Sequence, residues 1–91
     1  MTITIQVPGV LRGCCAGASE FSVSAPSVRA ALGQIERTYP ALYRCVCDET
    51  GAVRRHVNVF VNTAHMCDRD GLDTALAAGD TITILPAVSG G

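Results

Sequence analysis

The chain opens and closes on the same pattern. Ile3, Ile5 and Val7 alternate with Thr4 and Gln6 near one end, and Ile82 and Ile84 alternate with Thr81, Thr83 and Leu85 near the other. Period-two alternation puts every second side chain on one sheet face, so each run predicts a half-buried strand. A chain of 91 residues supports one hydrophobic core and not two, and leaves no room for an enclosed active site. Both apolar faces must share one cover, and it is legible between them. Val28, Ala31, Leu32, Ile35 and Tyr39 recur at helical spacing, Ser27 stands where a hydroxyl caps the first free amides, and Pro40 closes the segment.

The remaining stretches fill in a sheet. Pro8-Gly9 and the small residues Gly13 to Ala18 predict a loop, and Phe21 and Val23 alternate with serines in a second strand that completes a hairpin. Residues 41–55 are irregular, turn at Asp48-Glu49-Thr50-Gly51, and predict a long connection with short helical turns. Val57-Asn58-Val59-Phe60-Val61 is the central strand, with the valines on the core face and Phe60 and Asn58 opposite. An extended piece around Ala64-His65-Met66, a brief helical turn at Leu72, Ala75 and Leu76, and a tight turn at Gly79-Asp80 lead into the last strand. The order predicts an α+β fold, a β-grasp: a mixed sheet of four to five strands packed on one main helix. The crossover rule sets the last strand parallel to the first, in the middle of the sheet. Residues 1–85 then form the domain and 86–91 a projecting tail, able to reach roughly 20 Å at about 3.3 Å per residue.

Composition excludes several roles. A formal net charge of −1 and the absence of a basic stripe argue against nucleic-acid binding. No apolar run approaches a bilayer span and the N-terminus does not read as a signal peptide, so a cytoplasmic monomer without membrane contact is expected. Five cysteines, Cys14, Cys15, Cys45, Cys47 and Cys67, fall in C-C and C-x-C spacings instead of the C-x₂-C of structural zinc sites. Plant-type iron–sulfur ligation is missing too, which argues against an electron carrier. Reduced cytosolic thiols and no bound metal are expected. His56 and His65 have no paired nucleophile at a suggestive spacing, and Asp68, Asp70 and Asp73 lack the glycine and glutamate of a calcium loop.

The last residues are Gly90-Gly91. Two glycines arise at frayed ends by chance, but without Cβ atoms they also make the thinnest tail a polypeptide can form, able to enter a narrow channel and present an α-carboxylate. All seven basic residues are arginine. Compositional drift accounts for this; it also leaves no side-chain amine that an activated carboxylate could acylate within the chain.

The run Val57 to Asn62, then Leu76 and Gly79-Asp80-Thr81-Ile82-Thr83-Ile84-Leu85-Pro86-Ala87-Val88-Ser89-Gly90-Gly91, resembles the ubiquitin-like sulfur carrier proteins. These include the molybdopterin synthase small subunit and the thiamine-pathway and cysteine-biosynthesis carriers. The resemblance covers the whole chain. The opening Val7-Pro8…Leu11-Arg12, the long 41–55 segment and the Leu85 to Gly91 ending are most similar to the cysteine-biosynthesis branch.

The resemblance implies a non-enzymatic carrier with no bound cofactor. The Gly91 carboxylate is adenylated by an E1-like adenylyltransferase using ATP and magnesium, then converted by sulfur transfer to a thiocarboxylate. In the cysteine branch a pyridoxal-phosphate-dependent cysteine synthase accepts the sulfur and a metallopeptidase releases cysteine. Gly90 gives the slender approach, Pro86 stiffens the tail's exit, and Ala87, Val88 and Ser89 fit a channel. Phe60 and Leu85 share the sheet face away from the helix and are expected to dock the adenylyltransferase; alternatively the 41–55 connection folds over Phe60. Thiamine, molybdopterin or a secondary metabolite would use the same carrier, and a protein modifier would pass the same glycine to lysines of other proteins.

Overall fold

The computed structural model describes residues 2–86. Strand β1 (Ile3–Gln6) leads through a 3-10 segment (Gly9–Cys15) into β2 (Glu20–Val23) and helix α1 (Val28–Thr38), followed by a second helix α2 (Pro40–Val46). Strands β3 (Val57–Val61) and β4 (Ala64–His65), two 3-10 turns (Met66–Asp68 and Gly71–Asp73) and β5 (Thr81–Pro86) complete the chain. The sheet order is β2-β1-β5-β3-β4. β5 runs parallel to β1 and antiparallel to β3, which is the central placement the right-handed crossover favours.

The predicted faces hold. Ile3, Ile5, Val57, Val59, Val61, Ile82 and Ile84 are buried beneath Val28, Ala31, Leu32 and Ile35 of α1. The Ser27 hydroxyl accepts a hydrogen bond from the Ala30 amide at 3.2 Å, which satisfies one of the free donors of the first helical turn.

Three segments differ from expectation. The helical turns expected in the 41–55 connection are present as one helix, but it begins earlier, at Pro40. Pro40 ends α1 and also begins α2, because a proline at the first helical position needs no amide partner, and Leu42 and Val46 are buried one turn apart. The small-residue loop winds into the 3-10 segment, which buries Cys15 and closes on Ala16 with φ 58°. The turn near Leu72 is the 3-10 piece Gly71–Asp73 and stops before Ala75. There Thr74, fully buried, donates its hydroxyl to the Gly71 carbonyl at 2.7 Å and accepts from the Asp70 amide at 3.1 Å.

The entry to β5 is fixed by a polar knot. Gly79 takes φ 89° in the turn before the strand, a conformation that costs any residue with a Cβ. Asp80 accepts hydrogen bonds from the Ala77 amide at 2.9 Å and from Asn62 Nδ2 at 3.2 Å. Asn62 Oδ1 in turn accepts from the Thr81 amide at 3.1 Å. A one-residue slip would move Ile82 and Ile84 to the solvent face, and these bonds hold β5 in register against β3.

Candidate functional site: the end of β5 and the open sheet face

β5 outruns its parallel neighbour. Pairing with β1 stops at Gln6 opposite Thr83, while pairing with β3 continues through Leu85 opposite Asn58 and Pro86 opposite Val57. Pro86, assigned from sequence to the tail, is the last residue of β5, so the sheet extends one residue beyond the expected boundary. A proline can close a strand here because it need not donate beyond the ladder's end. Ala87, Val88, Ser89, Gly90 and Gly91 lie outside the described residues.

The face of the sheet turned away from α1 is open and mostly polar. One row crosses it as Glu20, Gln6, Thr83, Phe60 and His65, each opposite the next on the adjacent strand. Leu85 stands in the next row, beside Asn58. It is 41% exposed because β1 has already ended at its flank. Phe60 is half-buried; the ring against it is His65, edge to face at 5.2 Å. His65 is held in turn by Asn58, with Nε2 and Oδ1 3.1 Å apart, and its Nδ1 accepts from the Cys67 amide at 3.0 Å.

Between the two readings of Phe60, its packing favours the open face. α2 lies against α1 and the 3-10 segment, and its buried Leu42 and Val46 join the core on that side. Phe60 and Leu85 therefore sit on the same exposed face, as expected. Sequence placed Asn58 on this face with Phe60 but did not single out His65 as their neighbour, since a strand of two residues leaves too short a pattern to assign a pairing partner.

A cleft of about 320 Å³ opens where β1 ends. Gln6, Pro8, Arg12, Glu20, Thr83 and Leu85 line it. Arg12 is oriented by a hydrogen bond from its Nε to the Val7 carbonyl at 3.2 Å. β5 thus reaches Pro86 beside a surface that carries the apolar Pro8 and Leu85 and charges of both signs, Arg12 and Glu20. Among the described residues, no three His, Cys, Asp or Glu side chains come together to hold a metal, and no helix is long and apolar enough to cross a membrane.

A single helix-covered sheet with its first and last strands parallel and adjacent at its centre defines the ubiquitin-like β-grasp class. The ThiS family model matches residues 5–91, and the chain belongs to that family. It is 36% identical to the Mycobacterium tuberculosis sulfur carrier protein CysO over the full length of both chains. The crystal structure of that CysO superposes with TM-score 0.87 at 34% identity, covering 94% of this chain and 99% of the other. A chain of the Amycolatopsis orientalis BexX/CysO complex gives TM-score 0.89 at 29% identity, with 98% and 99% covered. Small archaeal modifier protein 3 of Haloferax volcanii is 37% identical over 65 residues, which is 68% of this chain and 71% of that protein. Proteins of this group act as co-substrates of other enzymes, and this chain is a carrier and not a catalyst.

Proposed function

We propose that the chain carries sulfur on the carboxylate of Gly91. The observation that carries this proposal is the match to a sulfur carrier over the entire chain, with the family model running through the diglycine. A Gly91 carboxylate oxygen attacks the α-phosphorus of ATP, with magnesium, in an E1-like adenylyltransferase; pyrophosphate leaves and an acyl-adenylate remains. A sulfur nucleophile then displaces AMP, leaving a thiocarboxylate for a synthase to consume. Gly90, Ser89, Val88 and Ala87 serve as the slender approach to the partner's site, Pro86 directs the exit, and Phe60 and Leu85 are the docking contacts. Magnesium and ATP belong to the partner.

The acceptor we favour is the activated serine of a pyridoxal-phosphate-dependent cysteine synthase, with a metallopeptidase releasing the product, all in the cytoplasm. The CysO relatives support this branch, and the BexX/CysO complex shows one of them bound to another protein. A second use has its own support: the likeness to an archaeal modifier protein favours transfer of the activated glycine to lysines elsewhere. Extending the chain by one alanine beyond Gly91 separates tail chemistry from folding. Thiocarboxylate formation should vanish with the unfolding curve unchanged; an extended chain that still gains sulfur removes Gly91 from the mechanism.

A further inference from the structure

The five cysteines divide by where they point. Cys15 is fully buried, with its sulfur on the Ala18 carbonyl at 3.3 Å and the Arg12 carbonyl at 3.5 Å. Cys47 is also buried, and desolvation pushes its thiol up to about 11. Cys67 is exposed. Their neighbours behave differently. Cys14, on the 3-10 segment, and Cys45, on α2, are both partly accessible, and their sulfurs are 3.3 Å apart although 31 positions separate them in sequence. The adjacent pair Cys14-Cys15 and the Cys45-x-Cys47 motif thus each send one thiol into the core and one to the seam between the two elements.

We propose that Cys14 and Cys45 form a reversible dithiol–disulfide site that clamps the 3-10 segment to α2. The two sulfurs start 3.3 Å apart and need approach by only about 1.2 Å to reach bonding distance. The oxidant is a low-molecular-weight disulfide. One cysteine thiolate attacks one of its sulfurs and expels a thiolate, forming a mixed disulfide. The second cysteine then attacks the protein sulfur and expels the other thiolate. Two thiol protons leave the protein, and two electrons reduce the reagent to two thiols. An excess of small thiol reverses both steps. The loop so closed contains β2 and α1, and the clamped segment carries Arg12, which lines the cleft beside Leu85. This site is independent of the carrier chemistry of Gly91.

The test uses the full chain with Cys67→Ser, which removes the exposed thiol. After treatment with oxidised glutathione the intact mass should lie about 2 Da below that of the reduced chain, and on denaturation and alkylation two of the four remaining cysteines should resist the reagent. Cleavage at arginine places Cys14 in the 13–29 peptide and Cys45 in the 45–54 peptide, so the two should be recovered joined under non-reducing conditions. Adding Cys14→Ser or Cys45→Ser should abolish the link, whereas Cys15→Ser and Cys47→Ser, if folded, should keep it. The oxidised form should melt roughly 10 °C higher than the reduced form. Four alkylated thiols, a persistent glutathione adduct, or a link that survives Cys45→Ser would each overturn the assignment.

Discussion

Ile84 and Leu85 are neighbours on one strand with opposite duties, and substituting each in turn separates folding from docking. Ile84 is fully buried on the helix side; replacing it with alanine deletes buried atoms and leaves a cavity, at a cost of about 2–5 kcal/mol. For a domain of this size that lowers Tm by roughly 10 °C or more. Leu85 points the other way. Fully burying a leucine side chain is worth about 1.5–3 kcal/mol, and with 41% of its surface still in water a docking partner can withdraw about 0.6–1.2 kcal/mol more. Leu85→Ala should then raise the KM for the carrier roughly 3- to 8-fold. Leu85→Asp would bury an unpaired carboxylate against the partner and raise it roughly 100-fold or more. The assay is pyrophosphate exchange by the cognate adenylyltransferase, with thermal unfolding of each variant alongside. Leu85→Asp with an unchanged KM refutes docking through this face. So does folded Ile84→Ala with the same kinetic loss as Leu85→Asp.

Removing the α1 cap with Ser27→Ala should cost about 1 kcal/mol, or roughly 4–8 °C in Tm, read by calorimetry. On the alkaline side, burial raises the Cys47 thiol from 9.0 to about 11, so the unfolded chain loses that proton first. Stability is fully present below pH 9.0 and declines toward about pH 11; denaturant titration of Cys47→Ala should show a flatter slope in that window. On the acid side the shift is opposite. Hydrogen bonds to Thr50 and to the Ala77 amide hold Asp48 and Asp80 below the usual 3.8. Their contribution is present above pH 3.8 and is lost as pH falls through the lower folded values. Asp80→Asn should therefore weaken the acid dependence of unfolding.

The strands were legible because their β-branched residues alternate cleanly, and each face assignment, including Phe60 and Leu85 outward, follows from that alternation. α2 was hidden by Pro40, which reads as a stop for the preceding helix. Its second role as a start depends on Leu42 and Val46 finding the core, and two apolar residues one turn apart carry little periodic signal. The 3-10 segment was hidden because Gly9, Gly13 and two cysteines have loop composition, and Cys15 enters the core through tertiary packing alone. The cysteine pairing was invisible for a different reason. Local spacing tests only neighbours, and the partners Cys14 and Cys45 meet because α2 packs on the 3-10 segment. The end of β5 was misplaced by one residue, since a proline at the close of a strand looks the same in sequence as one at the start of a tail.

The central claim concerns one functional group, the carboxylate of Gly91. Intact-mass spectrometry of the chain after incubation with its cognate adenylyltransferase, ATP, magnesium and a sulfide source reads that group directly. The account predicts a single sulfur-for-oxygen exchange, located by fragmentation at Gly91 and dependent on ATP. An unchanged mass with an adenylyltransferase shown to be active, or sulfur found on a cysteine instead of the terminus, would contradict it.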